Sequence, residues 1–369
     1  MIDRKSGLAK LRKEIKNGAL SVLSEQRPIE VISTGIATLD EALGTGGFVR
    51  GSQVVLWGPA GGGKSAIAYT AIGNLMQENP EATACIFDME RSAEMDWLVK
   101  FGVDPERTYI VKEPTIEDNI NTFQAVMRSC SFDYVVIDSI GAMMKERQFD
   151  GKDGKGGDAS VANVGGVAKG VTDWVNKANG ELIVLDKLKN SGEEVIKPVI
   201  IWINQVRANM DSMYGGYTMP GGYGLQHQAK VIIRITASGA AQDKIWGTVN
   251  NEKVQVGTRV NCTIEKNKYA PKNRQAGFDF CWEESPERGF GIDNISACFD
   301  LAIKRGVIES RGAWCYYGIE GEEGYVKENG KGAMLVRMAN DPDFYHEVYE
   351  KTMNVTAEEN AKMMEDNNA

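Results

Sequence analysis

Two rhythms of apolar and polar positions run through the chain. From Gln53 onward, short unbroken apolar runs occur at Val54-Val-Leu-Trp57, Ala84-Cys-Ile-Phe87, Tyr134-Val-Val-Ile137 and Val199-Ile-Ile-Trp-Ile203. Between them lie Ser65–Gln77, Ala93–Phe101 and Ile116–Ser129, where apolar residues recur at helical spacing. Continuous apolar strands separated by helices predict an α/β fold with a mostly parallel sheet covered on both faces. Three later runs, Val231–Ile235, Val260–Ile264 and Phe278–Trp282, have turn-rich connections and are expected to extend the sheet in antiparallel fashion. Ahead of the core, Leu8, Leu11 and Ile15 stand at helical spacing among Arg4, Lys5, Lys10, Arg12, Lys13 and Lys16. That is a basic amphipathic helix, closed by Asn17-Gly18 and followed by the short apolar stretch Ala19–Leu23. A lone helix and strand cannot bury their apolar faces unaided, so they pack either on the parent domain or on a neighbouring subunit.

Two glycine-rich stretches interrupt the core pattern. Asp150–Ala159 is too polar and glycine-rich to hold a fixed fold, and Met213–Leu225 mixes glycine with tyrosine. Loops of this length inside a compact domain are functional or disordered. The segment Glu181–Lys197, between Gly180 and Pro198, reads as a further loop without an assigned role. Past Ser285 the pattern changes to a small α/β module with a helix near Ile295–Arg305 and the apolar run Trp314–Tyr317. The expected organisation is an arm over 1–30, a core over 31–285, a small C-terminal domain over 286–340 and an acidic tail over 341–369.

Composition narrows the class. The length of 369 residues allows about two or three domains. Hydrophobic residues at 42% and charged residues at 25% exclude global disorder. The net charge of −9 argues against a protein coated in positive charge, while leaving room for a local basic groove. The six cysteines form no C-x-x-C pair and there are only two histidines, which removes zinc-ligand spacing and makes a reducing cytoplasm the expected location. No apolar run approaches the roughly 20 residues that span a bilayer.

The chemistry is concentrated in Gly58-Pro59-Ala60-Gly61-Gly62-Gly63-Lys64-Ser65, which fits G-x-x-x-x-G-K-[ST] directly after a strand and before a helix. Backbone N–H groups of such a loop wrap phosphates, Lys64 neutralises their charge and Ser65 ligates Mg²⁺. Asp138, closing the strand Tyr134–Ile137, is the metal-positioning carboxylate. Ser139 follows it, so a general base has to come from elsewhere. Glu90, just past Ala84–Phe87, is the candidate on position, with a solvated loop carboxylate as the alternative. Gln205, just past Val199–Ile203, could report a γ-phosphate into the second glycine-rich loop, since strand carboxyl ends converge on one crevice.

The order Ser33-Thr-Gly-Ile-Ala-Thr-Leu-Asp40, Gly58–Ser65, Phe87-Asp-Met-Glu90, Val136-Ile-Asp-Ser139, Ile203-Asn-Gln-Val-Arg207 and Lys266-Asn-Lys268 resembles the RecA recombinase family. The stretch Gly102-Val-Asp-Pro-Glu-Arg107 is similar to its phage, UvsX-like branch. The resemblance covers roughly Val31 to Arg305 and implies a RecA-type P-loop ATPase core with an N-terminal oligomerisation arm. It implies that Glu90 activates the attacking water, that Gln205 senses the γ-phosphate, and that Trp97 lies over adenine. Lys266 and Lys268 would reach ATP held by the neighbouring protomer. The implied DNA-binding loops, about 146–160 and 206–223, would use Lys145, Arg147, Lys152 and Lys155 in the first and Arg207, Tyr214, Gly221 and Gly222 in the second. Implied partners are single-stranded DNA, homologous duplex DNA and further copies in a helical filament, with single-strand-binding and loading proteins as candidates. His227 stands where the family often has an interface aromatic, and is read either as packed and neutral or as a coupling residue.

Other readings stay open at this point. A related P-loop motor, a small-molecule phosphotransferase, or an ATP-gated scaffold that does not hydrolyse would share the same loop. The acidic excess near the end, eight Asp and Glu against two Lys after Asn340, is expected to repel duplex DNA.

Overall fold

The computed structural model describes residues 8, 10–11, 28–140, 164–209, 216–219, 222–285 and 289–354. Most of the arm, the first glycine-rich loop with Lys145, Arg147, Lys152 and Lys155, Tyr214 and Gly221 of the second, and the tail from Val355 lie outside those residues. In chain order the elements are β1 (Val31–Ile32), α1 (Ala37–Leu43), β2 (Phe48–Val49), β3 (Gln53–Gly58), α2 (Lys64–Glu78), β4 (Ala84–Asp88), α3 (Met95–Lys100), β5 (Thr108–Val111), α4 (Ile116–Arg128) and β6 (Tyr134–Asp138). They continue as α5 (Val164–Asn190), β7 (Val199–Gln205), β8 (Arg207–Asn209), β9 (Gly216–Thr218), α6 (Gly222–Gln228), β10 (Val231–Ala237), β11 (Lys244–Val249), β12 (Glu252–Asn267), β13 (Gln275–Cys281) and β14 (Gly291–Ile292). The C-terminal module holds α7 (Asn294–Lys304), β15 (Ile308–Arg311), β16 (Trp314–Tyr317), β17 (Val326–Glu328), α8 (Gly330–Asn340) and α9 (Pro342–Asn354).

The main sheet runs in the order β14-β13-β12-β10-β3-β7-β6-β4-β5, with β11 paired to β12. The strands from β10 to β5 are mutually parallel. Successive side chains of a strand point to opposite faces, so one strand feeds two cores. Val54 and Leu56 of β3 face Leu39 and Leu43 of α1 and Ile67 and Ile72 of α2. Val55 and Trp57 face Phe123 of α4, Trp174 of α5 and Leu225 of α6. Both faces are covered, as continuous apolar strands require.

Two expectations need correcting. Val231–Ile235 is parallel to β3, with Val231 opposite Val54; the antiparallel extension starts only at β12. The chain returns to β10 through α6, a crossover that places the strand parallel, as helical crossovers do. The Glu181–Lys197 segment is not a loop throughout. Helix α5 continues to Asn190, and Gly180 sits inside it with, beyond its chain neighbours and the helix's own backbone, no described atom within 4 Å of where a Cβ would lie. The extra turns are anchored by Leu182 and Leu185 in the core and by Glu181, which accepts from Gln124 Nε2 at 2.8 Å and Arg128 Nη2 at 2.9 Å.

The C-terminal module buries Phe299, Leu301, Cys315, Tyr317, Met334 and Phe344 in a separate core that also takes in Ala37 of α1. The segment from Asp341, expected as an acidic helix or tail, begins as α9, which buries Phe344, Val348 and Thr352. Asp40 of α1 ties module to core. It accepts from Ser33 Oγ at 2.6 Å, Thr34 Oγ1 at 2.7 Å and the Tyr349 hydroxyl of α9 at 3.2 Å. The Ser33–Asp40 motif is therefore a structural lock between the two parts.

Candidate active site

The loop between β3 and α2 has the shape that its glycines permit. A Cβ on Gly58 would lie 1.9 Å from the Ile235 carbonyl oxygen, and Gly63, the N-cap of α2, has φ 91°. No side chain caps α2, so its first N–H groups and the positive end of its dipole face the crevice. Lys64 is buried, and its Nζ donates to the carbonyls of Pro59 at 2.6 Å and Gly58 at 3.1 Å. Burial pushes this ammonium below its ordinary pKa, against the pull of Asp138 and Glu90.

The other predicted residues arrive on neighbouring parallel strands. Gln205 stands opposite Gly58 on β7, and Asp138 stands opposite Asp88 at the ends of β6 and β4. Ser65 Oγ donates to Asp138 Oδ2 at 2.7 Å. Burial drives the Asp138 carboxyl up to about 6, with Glu90 and Asp88 adding to the rise and the Ser65 bond and Lys64 opposing it. The turn carrying Glu90 is set by Met89 N donating to the Asp138 carbonyl at 2.7 Å and by Asp88 accepting from Ser92 N at 3.0 Å and Ala93 N at 3.2 Å. Glu90 Oε1 accepts from Gln205 Nε2 and from Ser139 Oγ, each at 2.5 Å. The P-loop, Asp138, Glu90 and Gln205 thus share one crevice at the carboxyl ends of the strands, where open α/β sheets bind ligands. The donor set of a hydroxyl and a carboxylate 2.7 Å apart suits Mg²⁺, which keeps phosphate oxygens and water in its shell.

Lys266 and Lys268 lie elsewhere. Lys266 pairs with Ile232, which pairs with Val55. That register puts it three residues, about 10 Å of strand, before Gly58 and toward the opposite end of the sheet. Its Nζ donates to the Gln226 carbonyl at 2.6 Å and the His227 carbonyl at 3.0 Å, at the C-terminus of α6. Burial, then Lys268 and Lys230, lower its pKa. Trp97 packs edge-on against Phe101 and Phe290, with centroids at 5.4 and 5.1 Å. Arg207 opens β8 and Gly222 opens α6, so both flank the second loop. His227 is exposed rather than packed, with the Tyr223 ring 6.4 Å away. Sequence reasoning treated Ser139 only as the absence of a glutamate and passed over Lys230. Neither has a local signal, because each depends on strand pairing.

A P-loop after a parallel strand, a carboxylate facing its serine and a second carboxylate on the next strand end define the class: a nucleoside-triphosphate-binding protein of the P-loop type. The family model for the RecA N-terminal domain matches residues 3–286. Among curated relatives, Protein RecA of Corynebacterium efficiens is 30% identical over 94% of this chain and 81% of its own length. Protein RecA of Nocardia farcinica is 29% identical over 97% and 95%, and that of Mycolicibacterium vanbaalenii is 31% identical over 90% and 87%. The chain belongs to the RecA family of recombinases.

Proposed function

We propose that this recombinase is a DNA-stimulated ATPase that assembles on single-stranded DNA, pairs that strand with homologous duplex and exchanges strands. The observation that carries the proposal is the meeting of Glu90, Gln205 and the Asp138–Ser65 pair beside the P-loop. In this reading the α2 N-terminus and the glycine loop bind the phosphates, Trp97 lies near the base, and Lys64 offsets charge that develops on the γ-phosphoryl oxygens. Ser65 and Asp138 would hold Mg²⁺, which when bound neutralises phosphate charge. Glu90 takes a proton from the attacking water, yielding ADP and phosphate.

Gln205 lies two residues before Arg207, so a pull on its amide reaches the second DNA loop directly. That loop, with Arg207, Tyr214, Gly221 and Gly222, and the first, with Lys145, Arg147, Lys152 and Lys155, would hold DNA mainly through phosphates, which makes binding independent of sequence. Lys266 and Lys268 are assigned to the ATP of a neighbouring copy in a filament, with the N-terminal arm docking on the adjacent core. Their distance along β12 from the chain's own P-loop supports this. Among the described residues no helix is long and apolar enough to cross a membrane, and a cytoplasmic site of action fits the reducing environment that its cysteines suit.

The test is Lys64→Ala. ATP hydrolysis stimulated by single-stranded DNA is expected to fall at least about 100-fold, as when one preorganised electrostatic donor is lost. Undiminished stimulation would sink the assignment.

A further inference from the structure

Glu90 poses a positioning problem. Its side chain is exposed at the mouth of the crevice. A free glutamate loses rotamer entropy when it is held in one geometry, so an unsupported carboxylate would spend most of its time out of line. Among the described residues two hydrogen bonds hold it, and both end on Oε1: one from Gln205 Nε2 and one from Ser139 Oγ, each 2.5 Å long. With two donors on Oε1, the lone pairs left for a water proton belong to Oε2.

The two donors are not equivalent. The Gln205 amide carries two N–H groups and, in the function proposed above, also answers to the γ-phosphate. Ser139 carries one O–H, and that proton is committed to Glu90. Ser139 is itself 1% exposed and directly follows the last residue of β6, so burial against the sheet holds its hydroxyl in place.

We infer that Ser139 is a positioning residue for hydrolysis: its hydroxyl fixes Glu90 Oε1 so that Oε2 is presented to the attacking water. This rests on Glu90 being the base. It explains how a chain with serine in place of glutamate after Asp138 keeps its base in line, since the serine steadies a glutamate on the neighbouring strand end. The residue acts through another side chain and touches no reacting atom.

The experiment is a double-mutant cycle on the full chain with single-stranded DNA, comparing Ser139→Ala, Glu90→Gln and the pair, with Ser139→Thr as the variant that keeps the hydroxyl. Two quantities are read: kcat, and affinity for a non-hydrolysable ATP analogue by fluorescence titration. Ser139→Ala is expected to lower kcat about 10- to 100-fold, the scale of a small misplacement of a reacting group, with analogue affinity unchanged. Adding it to Glu90→Gln should cause no further loss, because the two act as one unit. Ser139→Thr should recover most of the rate. Wild-type kcat in Ser139→Ala overturns the inference. So does a parallel loss of analogue affinity, a full additive loss in the pair, or a Thr variant that binds the analogue but turns over no faster than Ala. If Glu90→Gln keeps its turnover while Ser139→Ala loses it, the assignment of the base fails instead, and the inference falls with it for that separate reason.

Discussion

The two ends of the parallel sheet handle charge in opposite ways. At the carboxyl ends, acids and their donors close on one another: Ser65 on Asp138, Ser139 and Gln205 on Glu90, Lys64 on its own loop carbonyls. At the amino ends, Lys230, Lys266 and Lys268 gather at the β10–β12 pairing, and among the described residues the Lys266 ammonium donates to the carbonyls that end α6. Helix C-termini attract cations weakly, by about 0.3–1 kcal/mol at exposed sites, whereas charge-assisted bonds to a phosphate are stronger. The comparison sets an end whose acids and donors are matched within the chain against an end where three lysines lie close together, the end that the proposed function assigns to the nucleotide of a neighbouring copy.

The sharpest way to break this contrast is to damage each end in a different copy. Lys64→Ala and Lys266→Ala should each lose nearly all DNA-stimulated turnover alone. Mixed in equal amounts, they should recover activity, because in a head-to-tail assembly about one interface in four sets an intact P-loop against an intact Lys266. A mixture as inactive as its parts would mean that Lys266 serves its own chain.

A smaller effect is expected away from both ends, at Asp40. Burial pushes its carboxyl up to about 6 from 3.8, while bonds from Ser33, Thr34 and Tyr349 pull it back. As pH falls through 6 the folded chain takes up a proton that the unfolded chain does not yet bind, so this group adds stability on acidification, and the gain is complete below 3.8. Relative to Asp40→Asn, the wild type should gain about 2 kcal/mol between pH 7 and pH 4 in urea unfolding. A pH-independent difference would show that Asp40 does not titrate in this range.

The smallest effect belongs to Arg128, whose side chain is 65% exposed opposite Glu181. Arg128→Ala should cost about 1 kcal/mol, read as a shift in melting temperature, since the exposed guanidinium contributes little and the buried Glu181 keeps its bond from Gln124. A larger loss would make the extended end of α5 a principal support of the fold.

What could be read from the sequence follows from how far apart the cooperating residues lie. The P-loop is legible because its glycines, Lys64 and Ser65 act within eight consecutive positions, and Asp138 because a carboxylate closing an apolar strand is a local pattern. Glu90 needed the family resemblance, since its position alone also suits a surface loop. Glu181–Lys197 reads as a loop in sequence, but Leu182, Leu185 and Glu181 gain enough from tertiary contacts to carry the helix past Gly180, a poor helix former. The direction of β10 was misjudged because the short helix α6 was not weighed as a crossover. Ser139 and Lys230 were hidden for one shared reason: their partners Glu90 and Lys266 are 49 and 36 positions away in the chain, and only strand pairing brings them together.

The register that sets Lys266 apart from Gly58 also has a consequence for counting. If each catalytic centre needs a P-loop from one copy and lysines from the next, a row of copies always holds one fewer complete centre than it has members. The terminal copy at one end is idle however well it folds. Turnover per copy should therefore rise with the length of the row and level off, and short rows should be conspicuously slow. Length itself becomes a regulator, with no dedicated inhibitor required.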